Sequence, residues 1–216
     1  MLDRVATAAR AGRDPPDVLL VAVSKTVPAD VLSTAAEAGL TTLGENRVQE
    51  AAAKRPLVAG VAWHLIGPLQ SNKAGRAIEL FDVIQSVDSV GLAERLSRRA
   101  EGRTVRVLLQ VNVDADPAKA GFAPEALPVD LAGLLALPGL RVEGLMTVGR
   151  LVERAEDARS TFAALRHLSD DLRSGHPGLG PELSMGMSDD FDVAVEEGAT
   201  IVRVGRALFG ARPPIT

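Results

Sequence analysis

The chain has 216 residues, 46% hydrophobic and 24% charged, a composition ordinary for a globular protein and a length sufficient for one well-buried core. Its 24 basic and 28 acidic residues leave a formal net charge of −4, so nothing electrostatic favours nucleic acid or an anionic membrane surface as partner. Cysteine and tyrosine are both absent, which removes disulfides, thiolate nucleophiles, cysteine-based zinc sites and any tyrosine acid or base, and suits a reducing cytoplasm.

Met1–Arg13 carries charges at Asp3, Arg4 and Arg10 and has no apolar stretch fit for a signal peptide. Leu2–Ala11 reads as a leading helix. No later window offers the ~18 apolar residues that a membrane span needs, and the expectation is a soluble cytoplasmic protein. From there, β-rich apolar runs alternate with segments of helical period. The strand candidates are Val18–Thr26, Thr41–Glu45, Ala62–Gly67, Val83–Ser86, Val105–Val113, Arg141–Val148, Glu182–Met187 and Ile201–Gly205. Between them lie helical patterns such as Pro28–Ala38, Val48–Ala59, Gly91–Ala100 and Glu153–Arg173. Pro28 just inside a first turn, Ser89 before an apolar-periodic run, and Gly39, Gly102, Gly175 and Gly198 past helical stretches act as start and stop signals.

Strict alternation implies a parallel sheet covered by helices. Eight strands in this length favour closure into a single α/β domain over residues 1–216, a (β/α)8 TIM barrel whose leading helix covers the open bottom. The alternative is an open doubly wound sheet, but no G-x-G-x-x-G follows the first strand.

In a barrel the strand ends carry function. The first ends Val23-Ser24-Lys25-Thr26, with Val21, Val23 and Lys25 on one alternating face, so the lysine points into the barrel. The chain has twenty arginines and only four lysines, Lys25, Lys54, Lys73 and Lys119, and each lysine must be asked whether its amine is required. Desolvation favours the neutral amine that attacks an aldehyde to form a Schiff base, which arginine cannot do; the blander reading of Lys25 is a snorkelling lysine paired with an acid. The second strand ends Gly44-Glu45-Asn46, offering a carboxylate and an amide at the rim. The third carries His64, either a satisfied core histidine or a site residue, whereas His167 and His176 read as structural or solvated. After strand seven, Ser188 sits where a helix begins and can cap it or help to hold an anion. After strand eight, Gly205 lets backbone amides approach a phosphate. Together with Lys25 these ends suit a phosphorylated aldehyde.

VAVSKT at Val21–Thr26, GENRVQE at Gly44–Glu50, WHLIGPLQSNK at Trp63–Lys73, EGLMT at Glu143–Thr147, LSMGMSDDF at Leu183–Phe191 and VRVGRALFG at Val202–Gly210 together resemble the pyridoxal-phosphate homeostasis proteins, in order and over nearly the whole chain. The resemblance implies a barrel of the alanine-racemase type that binds pyridoxal 5′-phosphate covalently, with Lys25 as the Schiff-base lysine. It further implies a phosphate cup of Ser188 with the amides of Gly205 and Arg206. Arg203 would face the pyridine nitrogen, and Asn46, His64 and Met146 would surround the ring. A donor-only arginine beside that nitrogen weakens the electron sink, and the tyrosine base that racemases draw from an added domain has no counterpart here. The expected function is therefore a monomeric, non-catalytic carrier that buffers or delivers the cofactor to pyridoxal-phosphate-dependent apoenzymes, without nucleic acid, membrane or metal. The alternatives are a racemase with His64 as second acid/base and a Schiff-base aldolase acting on a phosphorylated sugar. Asn72, Lys73 and Lys119 could form an entry rim or simply be solvated.

Overall fold

Short strands separated by helices cannot pair as hairpins; they pair in parallel through crossovers, and here they close. The computed structural model describes residues 18–150 and 152–210. The strands are β1 (Leu19–Val23), β2 (Thr42–Glu45), β3 (Ala62–Leu65), β4 (Val83–Val87), β5 (Val105–Gln110), β6 (Leu140–Met146), β7 (Glu182–Ser184) and β8 (Ile201–Val204). Every pair is parallel and runs in chain order, and β8 returns to β1 through Leu19–Ile201 to Ala22–Val204. The barrel is thus the architecture expected, and the doubly wound alternative is excluded.

The helices are α1 (Ala29–Glu37), α2 (Val48–Lys54), α3 (Ala74–Leu80), α4 (Val90–Arg99), α5 (Leu127–Leu135), α6 (Arg159–Gly175), α7 (Phe191–Glu196) and α8 (Arg206–Phe209). Ser89 caps α4, its hydroxyl accepting the Leu92 N–H at 3.4 Å. The pattern over Val48–Ala59 breaks earlier than its period suggests, because Pro56 has no N–H to extend the helix and Arg55–Leu57 tightens into a 3-10 turn. Glu153–Arg173 likewise starts as a 3-10 turn at Ala155–Ala158 before α6 begins. Pro28 occupies the N-cap position of α1, not its first turn, and Gly175 is the last residue of α6, not the residue beyond it. The expected leading helix Leu2–Ala11 lies outside the described residues. Among the described residues no helix is long and apolar enough to cross a membrane.

The alternation of side chains along each strand divides the core into two shells. Leu20, Ala22, Val202 and Val204 face the helices, in one large cluster with the apolar faces of α1 to α7. Val21, Leu108, Met146 and Ile201 fill the barrel interior, with Leu19, Ile66 and Val148 packed against them. That interior is narrow. On β2 the inward position belongs to Gly44, where a Cβ would stand 2.7 Å from Val21 Cγ1 and 3.0 Å from Ile66 Cδ1. Gly44→Ala should therefore overpack the interior and destabilise the fold by ~1–3 kcal/mol, lowering Tm by roughly 2–4 °C per kcal/mol. Val21→Ala in the same chain relieves the clash, so thermal unfolding of the double variant should show less loss than the two single losses added.

Candidate functional site

β1 ends at Val23, and the next three residues turn at the mouth of the barrel. Ser24 is fully buried; its N–H donates to Gly44 O at 2.9 Å, and its hydroxyl to Gly44 O at 3.1 Å and Glu45 Oε1 at 2.9 Å. Lys25 comes next, half-buried, just past the end of β1. Thr26 then adopts φ 65°. Lys25 is shared by two adjoining clefts. One, of about 260 Å³, runs between α1 and α8 past Val27, Val31 and Phe209. The other, of about 220 Å³, is lined by Arg150, Ser188, Asp189, Asp190, Arg203, Gly205 and Arg206.

The loops after β7 and β8 shape the second cleft. Asp190 accepts the Met187 N–H at 2.6 Å, and the N–H groups of Asp190 and Phe191 both donate to Met187 O. This local turn delays α7 to Phe191, so Ser188 is not the helix cap that its position in sequence suggests. Its hydroxyl instead accepts the N–H groups of Gly205 at 3.3 Å and Ala207 at 3.5 Å, tying the two loops together. Gly205 packs on the strand that leads to Lys25: a Cβ there would lie 3.2 Å from Val23 Cβ. The Arg206 side chain pairs with Asp189. Burial raises the Asp190 carboxyl above its ordinary value, against the Met187 N–H and the charge of Arg203.

Beneath the cleft, Arg203 projects inward from β8 and is only 4% exposed. Burial lowers its pKa to about 10, with the Asp190 charge acting the other way, so the guanidinium stays charged at neutral pH. Among the described residues it forms no ion pair. It donates to Ser184 Oγ and to Thr147 O, both at 2.7 Å. Being donor-only, it fixes the direction of the hydrogen bonds beyond it. Ser184 accepts from Arg203 and passes its own proton to Gln85 Oε1 at 2.7 Å; the Gln85 amide therefore turns its NH2 to His64 Nδ1 at 2.8 Å. His64 accepts, which leaves its proton on Nε2. Burial, then the charge of Arg106, lowers the His64 pKa to about 4, with Asp82 opposing.

The residues nominated by the sequence are thus divided. Lys25, Ser188, Arg203, Gly205 and Arg206 line one cleft. His64 and Met146 lie buried in the barrel interior, and Asn46 lines a separate rim cleft with Arg47, Gln70 and Lys73. Glu45 is not a rim carboxylate: it is fully buried under the rim, bonded to Ser24 and Lys54. Lys119 sits in the loop after β5, 3.5 Å from Asp116. Arg150, Ser184 and Gln85 are not singled out by the sequence reading. Gln85 and Ser184 do carry a signal, as polar residues at inward positions of apolar strands. Among the described residues no cluster suits a metal ion.

Known proteins share this fold. Residues 4–213 match the model of the alanine racemase N-terminal domain family. The pyridoxal phosphate homeostasis protein of Pseudomonas aeruginosa is 46% identical over 214 residues, covering 97% of this chain and 91% of its own. PipY of Synechococcus elongatus, solved with PLP bound, superposes with a TM-score of 0.86 at 44% identity over 96% of this chain and 99% of its own. An alanine racemase of Clostridium difficile in complex with cycloserine shares the fold alone, with a TM-score of 0.76 and 16% identity over 99% of this chain and 59% of its own.

The state of His64 sets a pH dependence. The unfolded chain takes up a proton near pH 6.5 that the folded state refuses until about 4, so stability present above pH 6.5 drains as pH falls through that interval, by up to roughly 3 kcal/mol. Denaturant titrations at stepped pH should show this loss in the parent and a flatter profile in His64→Gln, whose amide can still accept from Gln85. Parallel profiles would contradict it.

Proposed function

The chain belongs to the family of pyridoxal phosphate homeostasis proteins, and from that premise we propose that it binds pyridoxal 5′-phosphate as a reversible Schiff base on Lys25 and buffers or delivers it, without robust catalysis of its own. The observation that carries this reading is the cleft that Lys25 shares with the β7 and β8 loops. Three arginines, Arg150, Arg203 and Arg206, line it beside Lys25, against two carboxylates, Asp189 and Asp190. The excess of positive charge suits a phosphate monoester, which carries about −1.5 to −2 at pH 7. The Ser188 hydroxyl, with the amides of Gly205 and Arg206, forms the phosphate cup of this reading. His64 and Met146 form the floor beneath the ring, and Asn46 stands at the rim.

When bound, the cofactor would supply an electrophilic carbonyl, and Lys25 would be the residue whose amine holds it reversibly. The chain's own residues hold and orient it. Arg203 would donate toward the ring nitrogen and, with no lone pair to accept a ring N–H, would keep that nitrogen unprotonated. An unprotonated ring is a weak electron sink, which favours retention over turnover. A racemase also needs a second base on the opposite face. The chain contains no tyrosine, and His64 has its Nδ1 committed to Gln85 and its charged form suppressed by burial. Relatives carry homeostasis names rather than enzyme names. In this reading residues 1–216 are one barrel domain, monomeric in the cytoplasm, and the recipients are pyridoxal-phosphate-dependent apoenzymes.

Mixing the protein with pyridoxal phosphate should produce a visible imine absorption band that Lys25→Ala abolishes and Lys25→Arg does not restore. Ser188→Ala should keep the band but weaken retention by roughly tenfold or more, the worth of one hydrogen bond to a charged group. Loaded protein incubated with amino acids in deuterated water should exchange α-protons far below the ~1 per second of ordinary enzymes. Exchange at that rate would sink the carrier reading, and a band that survives Lys25→Ala would move the Schiff base elsewhere.

A further inference from the structure

Of the three lysines outside the cleft, Lys54 is the most constrained. Its ammonium, on a side chain only 13% exposed, lies 2.6 Å from Glu45 Oε1 and 3.5 Å from Glu50 Oε2, and donates to Ser24 O at 2.8 Å. Three oxygens surround one nitrogen, two hydrogen-bonded and the third paired by charge, which suits a compact ammonium more than a planar guanidinium. Glu45 also accepts the Ser24 hydroxyl, and Glu50 Oε2 accepts the Thr26 N–H at 3.3 Å. The cluster therefore grips the main chain on both sides of Lys25: the Ser24 carbonyl before it and the Thr26 amide after it. Thr26, at φ 65°, is in the left-handed region, a true outlier for a β-branched residue. Such a conformation persists only where its surroundings over-determine it.

We infer that Lys54, Glu45 and Glu50 are positioning residues that hold the Ser24–Thr26 turn in its strained form, and so set how firmly Lys25 retains an aldehyde as a Schiff base. This rests on the reading of Lys25 given above. None of the three lines the cleft that Lys25 shares with Ser188; the cluster acts through Thr26 and Ser24.

The test measures the imine equilibrium constant from the absorption band during titration with pyridoxal phosphate, in full-length variants checked for folding. Glu50→Ala, at a half-buried position that tolerates truncation, should lower the constant about tenfold, equivalent to ~1.4 kcal/mol. Lys54→Arg should fail to restore what Lys54→Met loses. In a Thr26→Gly background, where no strain needs holding, Glu50→Ala should cost less than about threefold. Val107→Ala, a remote core truncation, should lower Tm and leave the constant unchanged. The inference is overturned if folded Glu50→Ala binds like the parent, or if its loss is the same with threonine or glycine at position 26. A parent without any Lys25-dependent band would defeat the Schiff-base reading itself; a normal parent with unaffected variants would defeat only the positioning role.

Discussion

A guanidinium buried inside the barrel, with no ion pair among the described residues, is the constraint around which the site is organised. Desolvating such a charge is expensive unless its protons find acceptors, and Arg203 offsets part of that cost through Ser184 at the end of β7 and Thr147 just past β6. Because it can only donate, the bonds beyond it have one permitted direction, through Gln85 to His64. The result is a neutral, rigid polar layer across the barrel, from β8 through β7 and β4 to β3. It leaves one charged group at the cleft and commits Nδ1 of the buried His64 to Gln85.

Closure of the barrel brings the other half of the site to that layer. β1 pairs with β8 over four residues, which sets Lys25 beside Gly205 and Arg206, and Gly205 permits the approach by having no side chain to strike Val23. The main chain on either side of the lysine is bonded from β2 and α2, through Glu45, Glu50 and Lys54. In the proposed reading the amine follows the first strand and the phosphate cup comes from the loops after the seventh and eighth strands, so closure of the barrel sets their spacing. This arrangement suits holding a cofactor in one place more than carrying a substrate through successive proton transfers.

Much of this is legible in the sequence. All eight strands are: β1, β4, β5, β6 and β8 stand out as runs rich in Val, Ile and Leu, the short β2, β3 and β7 follow from the alternation between helices, and the longer helices repeat their period over enough turns. The four-residue α8 and six-residue α7 are too short to display a period, and the place where α7 starts depends on the Asp190 bond to Met187, which spacing alone does not reveal. That is why Ser188 reads as a cap from sequence. Glu45 reads as a rim carboxylate because the burial of a strand's last residue is decided here by Lys54, which approaches from the next helix. The scarcity of lysine is the most useful compositional feature: it singles out Lys25 and leaves Lys54 to be explained by three oxygens that only the fold assembles.

Whether the chain holds pyridoxal phosphate on Lys25 and gives it up intact is tested most directly by mixing loaded protein with the apo form of a pyridoxal-phosphate-dependent enzyme, while following the imine band and that enzyme's activity together. A reversible carrier requires the band to fall as activity rises, up to the amount of cofactor loaded. A band that persists beside an inactive recipient, or cofactor that leaves chemically altered, would contradict it.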